Sequence, residues 1–174
     1  FIYGWGKVNG LKAVQLLEDG RYTNGSISQG ATDQVSITVP SGVEQVKVMV
    51  YWADKEASTS ASTALVNDLD ALLTDPNLAS YQPWLLDHTP NATTLALPAT
   101  VGADHLNNVE QIAIDNPMAG TYTLDITGTT IPFGPQDYYV VWEFITDDIT
   151  VTYPFGGEGL IPGSNDRIHW DANG

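Results

Sequence analysis

The chain has 174 residues, enough for one well-buried domain and a fragment of another, and its 43% hydrophobic and 16% charged residues set it apart from a disordered chain. Its 21 acidic and 6 basic side chains give a net charge of −15, so nucleic acid and anionic membranes, which need a cationic footprint, are not expected as partners, whereas cations are. The absence of Cys excludes disulfides and thiolate metal sites, and no apolar run approaches the roughly 20 residues of a membrane-spanning helix.

In chain order, the opening FIYGWGKVNG carries no signal-peptide pattern and reads as the middle of a longer protein. Phe1, Ile2, Tyr3 and Trp5 are expected to present an apolar surface there. Residues 8–17 follow with apolar side chains at 8, 11, 14 and 17 and further coverage at 13 and 16, which predicts a short helix capped by Asn9 and closed by Gly20. A lone helix of about ten residues is marginal in water, so it must rest on something.

From residue 34 the period becomes two. Val35, Ile37 and Val39 alternate with polar residues, and after Pro40-Ser41-Gly42 the same is true of Val46, Val48, Val50 and Trp52. Further strands are expected over 69–74, 93–97, 109–114, 121–127 and 138–144, separated by turn residues such as Asp115-Asn116-Pro117 and Ala119-Gly120. Strand pattern resumes over 149–153 and again over 168–171. Many short strands at this spacing, with 16 Gly and 10 Pro, predict an all-β fold: an antiparallel β-sandwich or jelly roll with one short N-terminal helix. Trp52, Trp142, Tyr122 and Tyr138 fall on alternating apolar faces and are expected in the core. Trp84 lies in a loop, where covering the core edge is commoner than serving as a platform for sugar or peptide.

Within LVNDLDALLTDP, residues 65–76, Asp68 and Asp70 sit two apart on a predicted strand, and thus on one face, next to Asn67. Like charges side by side on a half-buried surface are unfavourable. Either they are solvated at a strand edge or they hold a cation. Calcium takes six to eight oxygens from carboxylates, amides and backbone carbonyls. Further oxygen donors stand at Asp87 and at Asp104, Asn107 and Glu110 in a loop entering a strand. An oxygen-rich set with neither Cys nor a helical His pair disfavours zinc. Asp70, Asp87, Asp104, Asn107 and Glu110 are the first candidates for ligands of calcium, and Asn67, Asp68 and Asp54 the next.

VYWADKEASTSASTALVNDLDALLTDPN and NNVEQIAIDNPMAGTYTLDITGTTIPFGPQDYYVVWEF resemble the β-domain that follows the catalytic domain in a group of secreted subtilisin-like serine proteases. The architecture is similar to the P domain of proprotein convertases. GWGKVNGLKAVQLL resembles the closing turn and last helix of the subtilase catalytic domain, and TVTYPFGGEGLIPGSNDRIHWDA the first strands of an appended immunoglobulin-like module. The resemblance implies three parts: the tail of the catalytic domain over 1–21, a jelly-roll β-domain over 22–146, and the start of an Ig-like module over 147–174. It also implies secretion, and calcium in the β-domain as in some members of that group. The family's catalytic motifs are not matched, because His88, His105 and His169 precede Thr, Leu and Trp and no Gly-Thr-Ser occurs. Two positions depart from the family: Ala71 stands where Leu is usual after Asp-Leu-Asp, and Leu78 where Gly follows Pro-Asn. If that turn needs a positive φ, Leu is strained.

Two functions follow from these readings. One is a non-catalytic accessory domain of a serine endopeptidase that docks on the catalytic domain of the same polypeptide and uses calcium as its staple. The other is a jelly-roll module that binds protein substrate or carbohydrate. Asn24-Gly25-Ser26 and Asn91-Ala92-Thr93 match the glycosylation sequon, a weak signal.

Overall fold

The computed structural model describes residues 8–173 apart from 88 and 155, so Phe1, Ile2, Tyr3, Trp5 and His88 lie outside the described residues. Helix α1 spans Gly10–Glu18, and the side chain of Asn9 accepts a hydrogen bond from the Lys12 N–H (3.1 Å) as its N-cap. Gly20, at φ 66°, turns the chain out of the helix. None of its residues is buried. Lys12 reaches Glu143 (3.1 Å), while Val8, Leu11, Val14 and Leu17 face solvent.

After α1 the chain runs through β1 (Tyr22–Ile27), β2 (Thr32–Val39), β3 (Gln45–Trp52), β4 (Asp68–Thr74), β5 (Ser80–Tyr81) and β6 (Trp84–Leu85). A one-turn helix, α2 (Ala92–Leu95), precedes β7 (Thr100–Val101), β8 (Val109–Asp115), β9 (Gly120–Thr130), β10 (Gln136–Ile145), β11 (Asp148–Tyr153) and β12 (His169–Asn173). One four-stranded sheet has the order β1-β10-β3-β8 and the other β2-β9-β4-β5. Pairing β1 with β10, β2 with β9, β3 with β8 and β4 with β5, all antiparallel, is the nested winding of a jelly roll. The expected all-β sandwich is therefore present. β11 and β12 form a separate antiparallel ladder, as do β6 and β7.

Alternation explains the core. Val46, Val48, Val50 and Trp52 of β3, Leu69, Ala71 and Leu73 of β4, Tyr122, Leu124 and Ile126 of β9, and Tyr138 and Val140 of β10 are buried between the sheets. Each fully buried Val, Leu or Ile contributes about 1.5–3 kcal/mol, which is what holds the two sheets face to face. Trp142 packs against this core, partly buried. Tyr138 keeps its hydroxyl satisfied by donating to Asp33 Oδ2 (2.8 Å), and burial pushes its phenol far above the ordinary range. Its ring lies so close to Gly25 that a Cβ there would meet the hydroxyl at 2.3 Å.

Residues 93–97, expected to be a strand, instead lie in and just after α2. Asn91 accepts from the Thr93 N–H (2.8 Å) and turns the backbone into a helical start, and Thr-Thr-Leu-Ala-Leu has too few apolar alternations to recruit a partner strand. Among the described residues the fold thus carries two short helices rather than one. Leu78 has φ 68° and lies on the surface, so the turn after β4 does adopt the backbone geometry that Gly would favour.

Candidate metal centre

Within its sheet β4 is only partly covered. β4 is bonded along its length to β9, but on its other side β5 covers only Leu73 and Thr74. The remaining edge of β4, from Asp68 to Leu72, therefore needs other partners for its backbone groups. Glu110 supplies one. It projects from the inner face of β8, the edge strand of the opposite sheet, and its Oε2 accepts the Ala71 N–H at 2.6 Å. This places a carboxylate that is only 1% exposed in the seam between the sheets.

Leu69, Ala71 and Leu73 turn inward from β4, so Asp68 and Asp70 share its outer face, as their spacing predicts. Asp68 is 9% exposed, and its Oδ2 meets His105 Nδ1 at 2.7 Å. Asp70 Oδ1 lies 3.6 Å from the same nitrogen, and its Oδ2 accepts from the Thr129 hydroxyl of β9. Asp104, also buried, shapes the loop that presents His105: its Oδ1 accepts the N–H groups of Leu106 (2.9 Å) and Asn107 (3.3 Å), and its Oδ2 the Asn107 amide (2.6 Å). Among the described residues, one ligand atom each from Asp68, Asp70 and His105 lies within 4.8 Å of the others.

Three carboxylate oxygens in this region, Asp68 Oδ1, Asp70 Oδ1 and Glu110 Oε1, are buried without a hydrogen-bond partner. Buried oxygens are ordinarily paired, because an unpaired one forfeits its hydration without return. The charge balance is equally unusual. Burial pushes the Glu110 carboxyl up to about 9, against the opposing hydrogen bond from Ala71 and with the carboxylates of Asp70, Asp104 and Asp68 adding to the rise. Burial also raises Asp68, opposed by His105 and reinforced by Asp70 and Asp104. Oxygens that lack donors and carboxyls that resist ionisation together describe a place short of positive charge, and a divalent cation fits it.

The other sequence candidates have different partners. Asp54 accepts the N–H groups of Lys55 (2.8 Å), Val66 (2.7 Å) and Asn67 (2.8 Å) and so closes the long loop between β3 and β4. Asn67 is buried and turned the opposite way, donating to Phe133 O (2.8 Å) and Gln136 Oε1 (2.7 Å) and accepting from Phe133 N–H (3.2 Å). Asp87 accepts the Thr89 N–H in a local turn (2.9 Å), and Asn107 serves Asp104. The structure thus brings Asp68, Asp70, Asp104 and Glu110 into one region and gives Asn67 and Asp54 structural partners elsewhere. His105 is the member of this cluster that sequence spacing does not single out. Its one signal was adjacency to Asp104, which had been singled out for its oxygens.

No family model matches the chain. Two curated proteins from Dictyostelium discoideum, the serine protease/ABC transporter B family proteins tagA and tagB, are each 32% identical to it, over 116 and 99 residues. The matches cover 66% and 56% of this chain but only 6% and 5% of those proteins, so the chain corresponds to a small part of their length. A crystal structure of a protein from Sulfurospirillum deleyianum aligns with 70% of this chain and 97% of its own, at 9% identity and a TM-score of 0.35.

Proposed function

We propose that this chain is a non-catalytic accessory β-domain of a secreted subtilisin-like serine endopeptidase, docked on the catalytic domain of the same polypeptide and stapled by calcium at the open edge of β4. The observation that carries the reading is the trio of buried, unpartnered carboxylate oxygens on Asp68, Asp70 and Glu110. Because Glu110 comes from one sheet and the two aspartates from the other, a cation among them would cross-link the sandwich where its ladders leave a gap. The similarity to proteins named as serine proteases supports the protease context. The exposed apolar side chains of α1 supply a surface for the preceding domain.

The test is a pair of thermal melts, with excess calcium and with chelator. A ligand that binds only the folded state contributes roughly 2.7 kcal/mol at a hundred times its Kd. At about 2–4 °C per kcal/mol for a chain of this size, chelation should lower the midpoint by roughly 5–11 °C. Asp70→Asn should shrink that difference while leaving the calcium-free protein no less stable, since a repulsion is relieved. Equal wild-type melts in both conditions refute the staple.

A second reading, a substrate- or carbohydrate-binding module, is favoured by one feature. Tyr139 stands opposite Tyr51 across β10 and β3, and Tyr22 opposite Val141 two residues along, all three exposed on the outer face of their sheet. Exposed aromatic rings on a sheet face suit stacking against sugar rings. Retention of the chain on insoluble glycan, lost in Tyr51→Ala, would move the balance to this reading.

A further inference from the structure

The centre contains a donor that calcium does not ask for. His105 Nδ1 lies 2.7 Å from Asp68 Oδ2 and 3.6 Å from Asp70 Oδ1, distances that bracket the ~3.4 Å edge of a tetrahedron of nitrogen and oxygen around zinc with bonds of about 2.1 Å. The loop holding it is fixed rather than loose, since Asp104, 1% exposed, accepts the N–H groups of both residues that follow His105. The oxygens left over by the protein are Asp68 Oδ1, Asp70 Oδ1 and Glu110 Oε1, the last on a side chain that is itself 1% exposed. One ligand atom each from Asp68, Asp70 and His105 lies within 4.8 Å of the others, and a single water would bring these three protein donors to four. That is the number zinc takes, whereas calcium takes six to eight, nearly all oxygen.

We infer that His105 is a direct ligand and that the Asp68–Asp70–His105 centre takes a borderline transition ion of the zinc class in competition with calcium. The inference rests on the cation reading above and deepens it by naming the ion class and the residue that selects it. Imidazole binds zinc, cobalt and nickel well and calcium poorly, so His105 separates the two classes while the carboxylates serve both. The side chain is 55% exposed, which leaves its outward face open to water and lets it meet an arriving ion without disturbing the core.

The experiment uses the full chain stripped with chelator and cobalt(II) as an optical probe. Expected are visible ligand-field bands that saturate at one equivalent, bleach on addition of one equivalent of zinc, and need a large excess of calcium to displace. In the imidazole region of the 1H–15N spectrum, zinc should move the Nδ1 resonance of His105 and calcium should not. His105→Ala should weaken zinc by more than about 100-fold, beyond the 10–100-fold typical of losing only an outer-shell partner, with calcium affinity kept. His105→Gln provides a second variant whose side chain retains an acceptor, and it should behave as His105→Ala does. Zinc affinity unchanged in both variants, or an Nδ1 resonance that zinc leaves in place, overturns the inference. Calcium stabilisation with no cobalt spectrum overturns it too, while leaving the calcium staple standing. Failure of every ion to bind overturns both readings.

Discussion

Glu110→Gln tests the electrostatics of the seam directly. The substitution keeps the shape and an oxygen that can accept the Ala71 N–H, and it removes the ionisable proton. In the folded protein the carboxyl is held at about 9, above its ordinary 4.5, so between those values the native state keeps a proton that the unfolded chain has released. Stability contributed by this proton is fully present below about 4.5 and is lost as pH rises toward about 9. At pH 8, some 3.5 units above the ordinary value and at about 1.4 kcal/mol per unit, the burden is on the order of 5 kcal/mol as an upper bound. With roughly 2–4 °C per kcal/mol, Glu110→Gln should melt above wild type by as much as about 10–20 °C at pH 8 in chelator. The gain should shrink steadily toward pH 5 and vanish only below about 4.5, where both states bind the proton. With excess calcium the order should invert, because wild type regains its charge partner and the variant has lost a ligand. Differential scanning calorimetry across pH 5–9, with and without calcium, provides the readout. A variant that is less stable at pH 8 in chelator, or a gain that does not depend on pH, refutes the account of a carboxyl strained by burial.

Leu78→Gly should raise the midpoint by roughly 1–4 °C, because a left-handed backbone costs a side-chain-bearing residue about 1–2 kcal/mol and Gly returns part of that in chain entropy; a lower midpoint would show the turn to be unstrained. Asn67→Ala removes three hydrogen bonds from a buried site and leaves Gln136 Oε1 and the Phe133 N–H and C=O without them, at about 1–3 kcal/mol each. Its melt should fall by 6 °C or more on the same scale, equally with calcium and with chelator, whereas a calcium-dependent loss would make Asn67 a ligand. The isolated chain should leave casein uncut, and turnover that survives repurification and is blocked by a serine-directed phosphonate would contradict the non-catalytic reading.

The periodicity of single segments was legible without any structure, because it reflects only local geometry. Alternation at Val46, Val48, Val50 and Trp52 places those side chains on one face whatever strand lies beside them. Asn9 and Gly20 bracket a helix through their own backbone preferences, and Leu78 after Pro76-Asn77 signals a strained turn for the same reason. That Asp68 and Asp70 share a face also follows from spacing alone. What meets those two carboxylates does not. His105 is 37 residues from Asp68, and Glu110 is 39 from Ala71. They converge because jelly-roll winding brings β8 beside the part of β4 that β5 leaves uncovered, so that the Ala71 N–H meets Glu110. Asn67, beside the pair in sequence, is turned away to Phe133 and Gln136, and Asp54 is drawn to the loop it closes. Residue type and spacing determine which atoms need a partner, but the choice of partner depends on which strand edges the folded chain leaves uncovered.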